Sequence, residues 1–202
     1  MTREIVILAS ATGTALNAVY VWPQVTRAAR TTAGLATGTV LLGCTARLAW
    51  TCYAVIQHDP GLLAGQTPPA LAFLTLAVLV IVRQPARRTR VVTALALGSA
   101  ATLAAAWYPP LLATIAIATA AVTAVPQLFG PFTPGAAAGV SGHTYALAAT
   151  ASAIWLSYGL LTANPTVYLT HALILPTSVL VAIRIRLARR RGPPLSPALS
   201  LS

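Results

Sequence analysis

The sequence predicts an all-α membrane protein: seven transmembrane helices, arranged as two parallel three-helix bundles joined by a linker helix. Three observations carry that reading. Apolar residues make up 57% of the 202-residue chain and charged residues 7%, with a mean hydropathy of +0.77, whereas soluble domains carry about 25% charged residues. Seven apolar runs are separated by turn-forming or basic breaks. Finally, with a shift of 105 residues, Gly34, Thr39, Leu42, Thr45, Ala46, Trp50, Tyr53 and Pro60 coincide with Gly139, Thr144, Leu147, Thr150, Ala151, Trp155, Tyr158 and Pro165. Matched Trp, Tyr and Pro are costly coincidences, so the chain reads as a duplicated unit.

The first run, Ile5 to Trp22, closes at Pro23-Gln24. Arg3 ahead of it and the small residues within it also fit a signal peptide, but the Pro-Gln end returns as Pro126-Gln127, which favours the first span of a repeat. After Arg27 and Arg30 comes a second run, Leu35 to Gln57, ended by the turn His58-Asp59-Pro60-Gly61. The third, Leu62 to Val82, runs into a basic loop at 83–90. The fourth, Val91 to Trp107, is barely long enough to span and stops at Tyr108-Pro109-Pro110. Leu111 to Phe129, Ala136 to Leu161 and Thr166 to Leu187 complete the set. Residues 1–90 therefore form the first three-helix repeat, 91–107 the linker and 108–188 the second repeat. Residues 189–202 form a basic, then Pro/Ser-rich tail expected to be disordered. An odd-numbered repeat fused directly would arrive inverted; one extra span restores a parallel pair.

The formal net charge is +11, and all thirteen cations are Arg. In a soluble chain that balance would suggest nucleic acid. Here eleven of the arginines fall in the first, third and fifth loops and the tail, Arg3 lies on the opposite side, and Arg47 lies within a span. The positive-inside rule then puts the N-terminus outside and the C-terminus in the cytoplasm. Both acidic residues, Glu4 and Asp59, fall at outer ends. Cys44 and Cys52 share one predicted helix about 12 Å apart along its axis, too far for a disulfide.

Pro23-Gln24 and Pro126-Gln127 recur together with Gly34-Leu35-Ala36 and Gly139-Val140-Ser141, and with Trp50-Thr51-Cys52-Tyr53 and Trp155-Leu156-Ser157-Tyr158. On these residues the chain resembles the PQ-loop superfamily, and within it the SWEET and SemiSWEET sugar transporters, over residues 5 to 188. The resemblance implies passive, alternating-access transport of small mono- or disaccharides across the membrane, here a bacterial plasma membrane, with no cofactor or metal; a homo-oligomer is compatible with it. It also implies a substrate held at mid-membrane between the halves. The aromatic positions of the second helices fall on Trp50 and Trp155, and the third-helix positions, Asn in the family, on Gln66 and His171. Both replacements can donate and accept hydrogen bonds, so polar chemistry is kept while the ligand is left open. The family's second-helix prolines are absent.

Proline lacks an amide donor and crowds the carbonyl four residues back, here that of Val19 or Val122. Pro23 and Pro126 thus read as hinges of an inner gate, or as kinks without function. Gln24 and Gln127 read as partners for freed carbonyls or a facing helix, and Gly34 and Gly139 as sites of tight turns or close packing. A Trp ring face packs on sugar C–H bonds while its N–H reaches a hydroxyl; Trp also anchors helices at membrane interfaces, and Gln66 falls towards the outer end of its span. Arg47 lies in mid-span, one turn from Trp50, where an arginine costs at least about 3 kcal/mol. It reads either as a counter-charge for a substrate carboxylate or phosphate, or as a snorkelling structural arginine. Its counterpart in the second half is Ser152.

His58 and His143 are expected near the two surfaces, and His171 in the cavity as a neutral ring. No nucleophile and base set, metal cluster or phosphate loop is present in the sequence, which argues against an enzyme. The leading function is a passive sugar carrier. A transporter of amino acids or other small carboxylates, with or without proton coupling, is the second class, favoured by Arg47 and His171. A non-transporting receptor is the third.

Overall fold

A computed structural model describes residues 2–32, 37–129 and 142–190, with side chains over 3–32, 37–122 and 145–187. The described secondary structure is entirely helical: α1 (Thr2–Arg30), α2 (Thr37–Ile56), α3 (Pro60–Arg83), a 3-10 turn (Pro85–Arg87), α4 (Arg88–Ala105), α5 (Pro109–Phe129), α6 (Gly142–Leu161) and α7 (Pro165–Arg190). Gly34 and its neighbours at 33–36, the segment 130–141 with Gly139, and the tail from 191 lie outside the described residues.

Helices α1, α2, α3 and α7 are long and apolar enough to cross a membrane, and α5 and α6 contribute shorter apolar stretches, Pro109–Val122 and Tyr145–Leu161, among the described residues. Between 17% and 39% of the most apolar window of each long helix is buried inside the protein. The rest, including Leu8, Leu74 and Val82, is exposed; it would be costly in water and is satisfied by acyl chains. These are the helices of an integral membrane protein. Helix α4 does not meet the same standard. Arg88 and Arg90 occupy its first turn, and the apolar part from Val91 to Ala105 rises only about 22 Å against a hydrocarbon core of about 30 Å.

Two element ends differ from the apolar runs. Helix α1 does not close at Pro23-Gln24 but continues to Arg30 with Pro23 inside it. Val25 and Ala28, beyond the proline, are buried with Val21 in a core at the arginine-rich end of the bundle, named the inner end after the orientation expected from the sequence, the opposite end being the outer. That burial offsets the one backbone bond a proline removes. The Thr26 hydroxyl adds a bond to the Pro23 carbonyl at 3.0 Å. The basic segment 83–90, read as a loop, instead ends α3, makes the 3-10 turn and starts α4.

Helix α3 packs against α1 and α2, and α7 against α5 and α6. Across the halves partners are exchanged, α1 packing on α6 and α2 on α5. The six helices thus close a ring in the order α1, α3, α2, α5, α7, α6, with α4 outside it against α2, α3 and α5. Exchange of first and second helices is what a two-fold relation between repeats produces.

The turns between α2 and α3 and between α6 and α7 are copies at an offset of 105. His58 (φ 50°) and Ala163 (φ 52°) are left-handed. The Asp59 and Asn164 amides donate back to Ala54 and Gly159 at 3.0 and 2.8 Å, and those of His58 and Ala163 to Val55 and Leu160 at 3.1 and 3.2 Å. This is the Schellman pattern that satisfies the last helical carbonyls. Asp59 and Asn164 then cap the next helix, accepting from the amides of Leu62 (2.8 Å) and Val167 (3.3 Å), and Pro60 and Pro165 stand first in it.

Two apolar cores follow. The outer one gathers Trp50 and Tyr53 of α2, Leu62 of α3, Leu112 and Ala116 of α5, Trp155 and Tyr158 of α6 and Val167 of α7, so it joins both halves. The inner one, among the described side chains, draws on α1 to α4.

Candidate functional site

Between the two cores the continuous helix α3 carries Pro68 and Pro69 inside it. Pro69 has no amide to offer the carbonyl of Gly65, four residues back. Asn17, buried on α1, replaces it: its Nδ2 donates to that carbonyl at 3.1 Å. The next residue, Gln66, is also buried. Its Oε1 accepts from Arg47 Nη1 of α2 at 2.8 Å, an orientation forced by the fact that arginine carries donors only. Gln66 is therefore buried and paired, in the second turn of α3. His171 of α7 lies within electrostatic reach of Arg47.

Trp155 enters this cluster from α6. Its indole covers Gly13 of α1 and Gly65 of α3; a methyl group on Gly65 would sit 2.2 Å from Cζ2, and one on Gly13 would sit 2.8 Å from Nε1. Only glycine leaves room for the ring at either place. The His171 ring stacks against it with centroids 6.3 Å apart and planes 20° apart, and Tyr158 meets it edge-on at 5.2 Å. At 1% exposure the indole offers no open face to a solute in this state. Trp50 is likewise buried, edge-on to Tyr53 at 5.9 Å. Three buried polar atoms of the cluster have no partner: Arg47 Nε, Trp155 Nε1 and His171 Nδ1. Buried polar groups are normally satisfied, so three such atoms in one cluster mark it as a candidate ligand site.

Above the cluster, at the outer end, the halves are tied by crossed hydrogen bonds. The Tyr53 hydroxyl of α2 donates to Asn164 Oδ1, the cap of α7, at 3.0 Å. The Tyr158 hydroxyl of α6 donates to Asp59 Oδ1, the cap of α3. Each donor is the copy of the other at an offset of 105, and so is each acceptor.

The structure thus brings together Arg47, Gln66, Trp155 and His171, and places Trp50 in the adjoining outer core. It does not bring Pro23 and Gln24 to them; both are exposed near the inner end of α1. Pro126 and Gln127 lie within α5, and His143 within α6, but their side chains fall outside those described. His58 is exposed in the α2–α3 turn, and Cys44 and Cys52 are free thiols. Sequence reasoning missed Gly13, Asn17 and Gly65, and the crossed tyrosine pairs. Asn17 could have been found as a polar residue inside an apolar run; the 105-residue offset relates Asp59 to Asn164 but carries no signal of their bonds to the tyrosines. A groove of about 400 Å³ lined by Thr37, Gly38, Leu41, Arg87, Arg90 and Val91 lies at the inner end of α2 and shares none of the cluster's residues. Compared with known proteins, the chain matches no family model and no curated sequence.

Proposed function

We propose that this chain is a passive alternating-access carrier for a small polar solute, sugars being the class its resemblance to SWEET transporters implies. The membrane-spanning unit is read as two parallel three-helix bundles joined by α4, with the N-terminus outside and the C-terminus in the cytoplasm of a bacterial plasma membrane. The observation that carries the proposal is the crossed pair Tyr53–Asn164 and Tyr158–Asp59 lying over a buried polar cluster with three unpartnered atoms. Bonds that join the halves at one end of a central site are what an outer gate requires. Breaking both would let the halves separate there while the Schellman turns and helix caps stay intact.

In this reading Arg47, Gln66, Trp155 and His171 line the site, with Trp50 behind it, and Pro23-Gln24 and Pro126-Gln127 allow bending at the inner end. The solute moves down its own gradient, because the two acidic side chains stand at helix ends, Glu4 in the first turn of α1 and Asp59 at the cap of α3, and neither is at mid-span to carry a coupling proton. The test is uptake by proteoliposomes from a panel of radiolabelled sugars and organic acids. Saturable uptake that shows counterflow supports a carrier. A folded protein that binds a solute without moving it would make the chain a receptor.

A further inference from the structure

The central cluster has a chemical polarity that its resemblance does not explain. Arg47 carries its charge in the middle of α2, and the other half has no counterpart to it: the equivalent position is Ser152, a small buried residue. Among the described residues no carboxyl group acts on that charge. The titratable groups within its reach are Tyr20 and His171, Asp59 is engaged by Tyr158 and the α3 cap, and Glu4 sits in the first turn of α1.

The hydrogen-bonding sense is equally one-sided. Gln66 spends its oxygen on Arg47, which turns its amide donors elsewhere. Arg47 Nε and Trp155 Nε1 are buried N–H groups with nothing to accept them. A neutral sugar or polyol brings no charge to answer Arg47, and the indole of Trp155, covered by Gly13, Gly65 and His171, gives it no open aromatic face. A carboxylate presents acceptors only and brings the missing negative charge. His171 Nδ1 is the orphan of this cluster able to accept, which provides for a hydroxyl beside the carboxylate.

We infer that the solute held at the Arg47, Gln66, Trp155 and His171 cluster is a small hydroxycarboxylate, of which the sugar acids are the sugar-like members. This rests on the carrier reading above and narrows its solute. Because an anion crosses without a coupling ion, transport moves one negative charge per cycle.

The deciding comparison is D-gluconate against sorbitol, which differ at one carbon, a carboxylate replacing a CH2OH. In proteoliposomes D-gluconate uptake is expected to saturate, to be unaffected by excess sorbitol, and to reach roughly 50-fold accumulation at 100 mV inside positive. Arg47→Gln should weaken D-gluconate by about 10- to 150-fold, the range for a bond to a charged group. Sorbitol or glucose carried independently of potential, with D-gluconate ignored, would overturn the inference and leave the carrier standing. If the folded protein moves neither probe, the carrier reading fails. Thermal stabilisation of the detergent-solubilised protein then decides the site: a shift with D-gluconate and none with sorbitol upholds it, and no shift with D-gluconate removes it. Both arms use the unmutated chain, so they hold even if Arg47→Gln does not fold.

Discussion

Removing the two crossed hydroxyls, Tyr53→Phe with Tyr158→Phe, should unlock the outer end of the molecule without disturbing its core. Phe keeps the ring in each edge-on pair with Trp50 and Trp155 and deletes only the oxygen. The Tyr158 bond goes to a carboxyl group and is worth about 1.5 to 3 kcal/mol, while the Tyr53 bond to an amide oxygen is worth about 0.5 to 1.5 kcal/mol. Asp59 is partly exposed, which favours the lower half of its range. Together the losses come to about 2 to 4 kcal/mol, a shift of roughly 30- to 1,000-fold towards any state in which those bonds are already broken. Tyr158→Phe alone should account for the larger share. Ser10, whose side chain lies beside Gly61 and the Tyr158 hydroxyl, is the place to read the change. In a background of Cys44→Ser and Cys52→Ser, Ser10→Cys should react slowly with a membrane-impermeant thiol reagent in the parent and many times faster in the double phenylalanine variant. A folded double variant with the parent's labelling and uptake rates would show that the tyrosines hold nothing shut.

Gly65→Ala puts a methyl group 2.2 Å from Trp155 Cζ2 and should cost about 1 to 3 kcal/mol through overpacking; adding Trp155→Phe should restore most of the thermal stability, and an equally unstable double variant would contradict the contact. Asn17→Leu leaves the Gly65 carbonyl, already deprived of a partner by Pro69, without its bond at 3.1 Å, and a loss of about 1 to 3 kcal/mol should appear in detergent denaturation. Ala163→Gly relieves a left-handed residue at φ 52° and should raise stability by about 1 kcal/mol, whereas a lower melting temperature would mean the turn is not formed as described. Cysteines introduced beside Asp59 and Asn164 should label from outside intact cells and those beside Arg88 and Arg190 should not; outside labelling at Arg88 would overturn the orientation.

The parts legible in the sequence were those fixed by local rules. His58-Asp59-Pro60 gives a left-handed closer, an N-cap and a first-turn proline in three consecutive residues, so the α2–α3 turn could be placed before its bonds were known. Its copy at Ala163-Asn164-Pro165 uses the same chemistry. Trp50 and Tyr53 lie on α2, and Trp155 and Tyr158 on α6, at the offset the sequence shows. What could not be read was anything that needs a partner from another helix. The Arg47 to Gln66 bond joins residues 19 apart in sequence and the Tyr53 to Asn164 bond residues 111 apart, and periodicity carries no information about such pairs. Pro23 misled for the opposite reason: its local rule is strong, but the burial of Val25 and Ala28 beyond it outweighs one lost hydrogen bond and carries the helix on.

The two ends of the repeat obey its symmetry to different degrees, and the difference has a physical basis. At the outer end every device occurs twice: the left-handed residue, the cap, the first-turn proline, the tyrosine and its crossed acceptor. Each half must close its own helical hairpin and hold the other, so the same demand falls on both copies. At the centre the copies diverge, Arg47 against Ser152, Gln66 against His171 and Gly65 against Thr170. On the carrier proposal the demand there comes from the solute between the halves. A small solute with a charged end and a neutral end has no two-fold axis, and a site built from identical residues on both sides could match only one of its ends. A donor-rich cation on one side, and a stacked imidazole with a free nitrogen on the other, can meet both ends at once. Two-fold machinery at the rim around a polar, asymmetric centre is therefore the arrangement expected of a duplicated chain whose cargo is itself asymmetric.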